Sequence, residues 1–147
     1  MLFCSGAFAT MSLKRERHSV RQLAGFVALL RYVKWQIDAF STPIPQMLSQ
    51  CEPRVLRDCG IKGAPLDFGE ALACAELSLP PTAKRCLFEF SAQLGGSYRE
   101  EQLRLCEHYV ARLQTALDKA REELPKRERL ALVLPLSLAA ALLLLFW

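Results

Sequence analysis

The sequence predicts an all-α protein, namely a cytoplasmic helical bundle of about five helices followed by a C-terminal transmembrane helix. Three observations lead to this prediction. Apolar residues recur three and four positions apart in two long stretches, no stretch shows the period of two that strands have, and residues 130–147 carry no charge. The 147 residues are 52% hydrophobic, which suits one domain with part of its apolar content in lipid.

The chain begins with a short apolar segment, residues 2–13, which the basic run KRERHSVR follows at 14–21. A helix of this segment would be about 18 Å long, too short to cross a hydrocarbon core of about 30 Å alone. The segment is therefore the remnant of a first membrane helix, a stretch lying in the interface, or the result of a wrongly assigned start. We place domain boundaries after residue 17 and after residue 124, so that the bundle comprises residues 18–124.

The two longest helices are predicted from apolar seams. The first helix carries Leu23, Phe26, Leu30, Val33, Ile37 and Phe40, and the last carries Leu103, Cys106, Val110, Leu113, Leu117, Ala120 and Leu124. Steps of three and four alternate in both sets, so each set lies along one face of its helix. Helices with such narrow seams are expected to pack against each other at a shallow crossing angle.

Shorter helices are predicted between these two. Three segments each read as one helix: residues 41–60, 67–79 and 80–94. The first opens with Ser41 or Thr42 as its N-cap and Pro43 at its first helical position, and Gly60 marks its end.

Residues 94–102, LGGSYREEQ, form either a glycine loop around a phosphate or a corner between two helices. A phosphate loop normally follows a strand and carries a lysine at its helix start. Here a helix precedes the glycines, and the net charge just after them is negative, which repels an anion. We therefore predict a corner, with Gly95 or Gly96 in the left-handed conformation and Ser97 with Glu100 as a capping box.

Residues 130–147 are predicted to form the transmembrane helix. They would span about 27 Å, near the lower limit for crossing a membrane, with Trp147 at the far interface. The alternative, a buried helix of a soluble core, would need a polar face, and none is visible. Lys126, Arg127 and Arg129 form a basic collar before the tail, which favours contact with lipid and a cytoplasmic location for the bulk of the chain.

We do not expect an enzyme, and we assign no catalytic, cofactor-binding or metal-binding residue. The six cysteines form no C-x-x-C pair, and most of them sit among Leu, Ala and Phe, which is typical of reduced, buried thiols. His108 lies two residues from Cys106, on a different face of the helix, so these side chains do not pair. His18 lies in a basic run that lacks interleaved aromatic residues and adjoins an apolar segment, so lipid headgroups explain the run better than nucleic acid does. No small-molecule substrate is expected either.

The order of these features resembles the stage III sporulation protein AB family over nearly the whole chain. Members carry a Glu-Ile pair followed shortly by Thr-Pro-Leu, where this chain has Gln36, Ile37, Thr42, Pro43 and Ile44. They also carry Phe, then Leu-Gly, then an Asp and a Gln, where this chain has Phe90, Leu94, Gly95, Tyr98 and Gln102. The two acidic residues of the family pattern are thus replaced by Gln36 and Tyr98.

The resemblance implies a non-enzymatic component of the mother-cell side of the channel that links mother cell and forespore during endospore formation. The cytoplasmic helices of such proteins are similar to the cytoplasmic domains of the type II secretion platform protein. The implied partners are therefore other membrane proteins of the channel and a cytoplasmic ATPase, and the implied location is the outer forespore membrane, with the bulk facing the mother-cell cytoplasm. The alternative is a generic platform adaptor unrelated to sporulation.

Partner binding is expected at seven residues: Gln36, Thr42, Pro43, Arg99, Glu100, Gln102 and Arg104. Reversing the charges of Arg99 and Arg104 is expected to weaken capture of the ATPase without changing the helical content.

Overall fold

The computed structural model describes residues 2–40, 43–63, 65–96 and 98–146, and of residues 2–9 it describes the backbone alone. The described residues form six helices and no strand, which confirms the predicted all-α class. The helices are α1 (Leu2–Phe40), α2 (Ile44–Gln50), α3 (Pro53–Asp58), α4 (Phe68–Cys74), α5 (Pro81–Gln93) and α6 (Arg99–Leu145).

The two long helices, α1 and α6, run antiparallel and side by side. Ion pairs show the direction, because Asp38 near the end of α1 meets Arg99 at the start of α6, and Arg17 meets Glu128 near the other end. Both helices supply the core with buried residues: Leu23, Phe26, Leu30, Val33 and Ile37 from α1, and Cys106, Tyr109, Leu113 and Leu117 from α6. The predicted contact between the two seams is thus confirmed.

Phe40 was predicted to belong to this packed seam, and that prediction is wrong. Its side chain is 64% exposed, and its ring meets the exposed ring of Trp35 edge to face, with the ring centroids 5.2 Å apart. The reason is the length of the two helices. The first residue of α6, Arg99, lies level with Ile37 and Asp38, so the last turn of α1 extends past the surface that α6 provides.

The segment predicted as one helix, residues 41–60, contains two helices in the structure. The break lies at Cys51 and Glu52, whose ψ angles are 145° and 126°. The ring of Pro53 accounts for the conformation of Glu52, because a proline disfavours the helical conformation for the residue before it. α2 and α3 can therefore pack against α1 in different directions.

The ends of the same segment agree in part with the sequence. Gly60 follows α3, which confirms the prediction that it marks a helix end, and its φ of +78° lies in the left-handed region. Pro43 is the N-cap of α2 and not its first helical residue. Ser41 and Thr42 lie outside the described residues.

α6 continues without a break from the bundle into the apolar tail. Pro125 and Pro135 both lie inside it, although proline removes a backbone hydrogen bond and normally breaks a helix in water. α1 contacts α6 on both sides of Pro125, through Leu117 and through Glu128, and this contact holds the two halves in place. The boundaries predicted after residues 17 and 124 fall inside α1 and α6, so they mark changes in composition and not helix ends.

Two residues of α1 bring the short elements against it. Gly25 allows a close approach of α3, because a Cβ atom there would lie 3.1 Å from the backbone nitrogen of Cys59. Gln22 is fully buried, and its amide donates to the carbonyl oxygens of Cys59 and Glu76 and accepts from the N–H of Ser78, each at 2.8 Å. One side chain therefore joins α1 to the end of α3 and to the loop between α4 and α5.

The cysteines are mostly core residues. Of the five whose side chains are described, four are buried and none forms a disulfide: Cys51, Cys59, Cys86 and Cys106 are the buried ones, and Cys74 is exposed. Burial raises the pKa of Cys59, and it raises the pKa of Cys106 to about 11. Both groups are therefore protonated thiols at neutral pH, in agreement with the predicted role as small apolar residues.

Candidate partner-binding site

The described members of the predicted partner-binding set lie at the end of the bundle remote from the apolar tail. The last turns of α1, the start of α2 and the corner between α5 and α6 enclose a cleft of about 330 Å³ there. We call it the distal cleft, and its lining residues are Ile37, Pro43, Ile44, Met47, Gly95, Arg99 and Gln102. Both stretches that carry the family resemblance contribute to it, although they are far apart in sequence.

Gly95 forms the corner between α5 and α6. Its φ is +88°, in the left-handed region that glycine alone adopts without strain, and it follows Leu94, whose N–H donates to the carbonyl of Phe90 at the end of α5. A Cβ atom at Gly95 would also lie 3.2 Å from Cδ1 of Ile44 on the opposite wall. The prediction of a helix corner is thus confirmed, and glycine is required there for both its conformation and its small size.

The start of α6 differs from the predicted capping box. α6 begins at Arg99, and its N-cap is Tyr98, whose side chain makes no capping hydrogen bond and is 84% exposed. Ser97, the predicted cap, lies outside the described residues. The Asp of the family pattern corresponds to this N-cap position, where a carboxylate accepts from the free N–H groups of the first turn.

Arg99 connects the start of α6 to the end of α1. Its guanidinium donates to the carbonyl oxygens of Ile37 and Asp38, and it pairs with the carboxylate of Asp38 at 2.9 Å. The last carbonyl groups of a helix have no partner inside the helix, so Arg99 supplies donors that α1 lacks. Arg99 is therefore a structural connection as well as a wall of the distal cleft, and charge reversal there is expected to disturb the helix packing, contrary to the expectation from sequence.

Gln36 lies inside the molecule and not on its surface. It is 7% exposed, and its amide donates to the hydroxyl of Tyr32 at 3.2 Å. That hydroxyl donates in turn to the carbonyl oxygen of Met47 in α2, at 3.0 Å, and burial raises the pKa of Tyr32. Gln36 therefore acts on the distal cleft indirectly, by holding Tyr32 and through it the helix that carries Met47.

Two further predicted residues are described, and neither lines the distal cleft. Glu100 is exposed on the first turn of α6. Arg104 lines a second cleft, on the other side of the α5–α6 corner, together with His108. Thr42 lies outside the described residues. The structure thus brings Pro43, Arg99 and Gln102 together, and it places the other described members beneath or beside them.

The sequence prediction missed an exposed aromatic pair beside the distal cleft. Trp35 is 54% exposed and packs against Phe40 at the end of α1. It also lines a groove of about 600 Å³ between α1 and α6, where Lys34 and Glu107 form an ion pair at 3.0 Å. The signal was present in the sequence, since Trp35 falls off the apolar seam of α1. Exposed aromatic residues are typical of protein-binding surfaces.

The basic collar belongs to a set of ion pairs at the opposite end of the bundle. Arg127 binds Glu16 and Arg17 binds Glu128, each at 2.6 Å, and we call these four residues the basal clamp. The hydrogen bond and the negative charge of Glu16 raise the pKa of Arg127. Arg127 is therefore engaged with α1, whereas the structure gives Lys126 and Arg129, the other predicted collar residues, no ion-pair partner among the described residues.

Beyond the basal clamp, α6 is an apolar helix with exposed side chains. It is the only described helix that is long and apolar enough to cross a membrane, and no part of its apolar window is buried. A helix of a soluble core would be covered, so the exposure does not support that alternative. Among the residues whose structure is described, no group of three His, Cys, Asp or Glu side chains lies close enough to hold a metal ion.

Fold and site together define a class, an all-helical protein with a candidate membrane span at one end and an exposed cleft at the other. The chain belongs to the stage III sporulation protein AB family, whose model matches residues 68–147, more than half of the chain. It is therefore a sporulation protein, and its family and tail suggest association with a membrane. The motif around Gln36 and Pro43 lies outside the matched range. Neither the curated proteins nor the solved structures include a match to the chain.

Proposed function

We propose that this protein is a non-enzymatic, membrane-anchored component of the channel complex on the mother-cell side, and that it couples a cytoplasmic ATPase to membrane partners or assembles them. One observation supports this proposal most directly. The α1–α6 pair extends from the apolar tail to the distal cleft, a distance of about 45 Å between Arg99 and Leu130 along α6. Such a rigid pair holds a binding surface at a fixed height above a membrane.

The proposed orientation follows from charge. The basic residues of the collar precede the apolar tail, and positive residues beside a membrane helix favour the cytoplasmic side. We place the tail in the outer forespore membrane, with the bundle facing the mother-cell cytoplasm. The distal cleft then faces away from the lipid, toward soluble partners.

The proposal of a binding role rests on what the side chains near the distal cleft do. Arg99 and Asp38 join the two long helices, and Gln36 and Tyr32 hold α2. The exposed rings of Trp35 and Phe40 lie beside this ion pair and these hydrogen bonds. Apolar rings next to a polar, rigidly held cleft are suited to docking a protein surface.

Co-purification of the ATPase with the full-length membrane protein from sporulating cells tests the proposal. We expect Trp35→Ala and Arg104→Glu each to reduce capture of the ATPase at least about tenfold, as loss of an interface anchor does. Arg121→Glu is the matched control, because Arg121 is an exposed arginine of the same helix far from the distal cleft. Helical content, measured by circular dichroism, should be equal in all three variants.

Spore counts give the second readout. The variants that lose the ATPase should also form fewer heat-resistant spores, and Arg121→Glu should form normal numbers. Full capture of the ATPase by both Trp35→Ala and Arg104→Glu would show that the distal end of the bundle is not the docking surface. Normal spore yield after deletion of the gene would favour the generic secretion adaptor.

A further inference from the structure

Another cleft lies at the tail end of the bundle, between α1 and the loop that joins α4 to α5. Its volume is about 390 Å³. α1 contributes Ser12, Arg15, Glu16 and Ser19 to one wall, and residues 77–80 form the other. We call it the basal cleft. It takes no part in the proposed docking of a soluble partner, because it lies at the opposite end of the α1–α6 pair.

The basal cleft lies at the level where the apolar tail begins. The basal clamp sets this register, because Glu16 lies beside Arg127 and Arg17 beside Glu128 in the antiparallel pair. Residues one turn earlier in α1 are therefore level with the start of the exposed apolar run at Leu130. If the tail crosses a membrane, the mouth of the basal cleft lies at the depth of the lipid headgroups.

The charges of the basal cleft favour an anion. Arg15 is exposed and has no ion-pair partner among the described residues, so its guanidinium is available to a ligand. Glu16 also lines the cleft, but Arg127 binds its carboxylate at 2.6 Å and compensates its charge. The serines at positions 12, 19 and 78 add hydroxyl groups, which donate to phosphate oxygens.

The loop wall of the basal cleft is held in place. Gln22 accepts the N–H of Ser78 at 2.8 Å, and the same amide binds the carbonyl of Glu76, so the loop cannot move away from α1 without losing these hydrogen bonds. Leu77, Leu79 and Pro80 give this wall an apolar side. A cleft with one arginine, several hydroxyls and an apolar side matches a phosphate ester whose remainder is apolar.

We propose that the basal cleft binds the phosphate of an anionic phospholipid from the cytoplasmic leaflet, with Arg15 as its main ligand and Ser78 as a second donor. The contact fixes the α1–α6 pair upright on the membrane. It does not depend on the ATPase or on the coupling role, so either proposal can fail without the other.

Native mass spectrometry of the full-length protein in detergent, titrated with dioleoylphosphatidylglycerol, tests the proposal. We expect Arg15→Gln to raise the dissociation constant about tenfold and Ser78→Ala about threefold, because a charge-assisted hydrogen bond contributes more than a neutral one. Arg15→Lys should recover part of the affinity, since it keeps the charge and loses the planar fork. Lys14→Gln is the matched control, a charge loss at the same depth outside the cleft, and should change the constant less than about twofold.

Three outcomes would overturn the proposal. Equal losses in Arg15→Gln and Lys14→Gln would mean diffuse attraction by the whole basic run. Binding of dioleoylphosphatidylcholine with the same dissociation constant as dioleoylphosphatidylglycerol would mean that the cleft does not distinguish lipids by headgroup charge. Displacement of the lipid by inorganic phosphate at equal concentration would assign the cleft to a soluble anion.

Discussion

Gln22 is expected to be the polar residue whose loss destabilises the bundle most. It is 0% exposed and makes three hydrogen bonds of 2.8 Å to backbone groups of two separate segments. Gln22→Leu keeps the volume and removes all three, which leaves the carbonyl of Cys59 unpaired in a buried position, and the carbonyl of Glu76 and the N–H of Ser78 unpaired in half-buried ones. An unpaired buried group costs about 1–3 kcal/mol and a half-buried one less, so the expected loss is about 3 kcal/mol. This is a large fraction of a domain stability of about 5–15 kcal/mol.

Urea unfolding of the full-length protein in mild detergent, followed by circular dichroism, measures this loss. Gln114→Leu is the matched control, because the amide of Gln114 makes its hydrogen bonds on the exposed surface between Arg31 and Asp118. It should cost less than about 0.5 kcal/mol. Gln22→Glu should be at least as destabilising as Gln22→Leu, since a carboxylate cannot donate to two carbonyl groups. A loss below about 1 kcal/mol in Gln22→Leu would show that the three hydrogen bonds are not what holds the loop to α1.

Three further predictions use the same unfolding assay. Gly25→Ala should lower the free energy of unfolding by about 1 kcal/mol, because overpacking against α3 costs about 2 kcal/mol and the higher helix propensity of alanine returns about 1. Gly69→Ala is the control and should be neutral or stabilising, because a Cβ atom there meets only ordinary contacts. Equal effects of the two substitutions would contradict the close approach of α3 to Gly25. Tyr98→Asp should raise the free energy of unfolding by about 0.5–1 kcal/mol, because the carboxylate caps the first turn of α6. An unchanged free energy of unfolding would mean that this turn is already capped. Burial raises the pKa of Cys106 from its ordinary value near 9 to about 11, so the free energy of unfolding should fall as the pH rises from 9 to 11. Cys106→Ala should reduce this fall, whereas Cys74→Ala should leave it unchanged, because Cys74 is exposed.

Much of the distal cleft was predictable because its components are local signals. Gly95 was assigned to a helix corner from the glycine pair and the charges after it, and the structure gives it the left-handed conformation. Arg99 was predicted to bind a partner, but its contact with α1 could not be read from the sequence. Its partners, Ile37 and Asp38, lie some sixty residues earlier in the chain, and only packing brings them within hydrogen-bond distance.

The same contrast separates Gln36 from Gln22. Both are polar residues close to the apolar seam of α1, and the sequence singled out Gln36 because of the family pattern. In the structure Gln36 supports a tyrosine beneath the distal cleft, whereas Gln22 joins three segments. A buried glutamine gives no sequence signal of its partners, because these are backbone groups whose position depends on how the short helices fold back.

The sequence alone determined the helical class, the two long seams, the helix corner at Gly95 and the apolar tail, since each depends on periodicity or composition within one stretch of chain. Tertiary structure alone decided which charges meet. The antiparallel register of α1 and α6 pairs Glu16 with Arg127 and gives Arg15 no ion-pair partner among the described residues, and it leaves Phe40 outside the core. The physical reason is that an ion pair or a buried face is a relation between two elements, and its register is fixed only when both elements pack against a shared core.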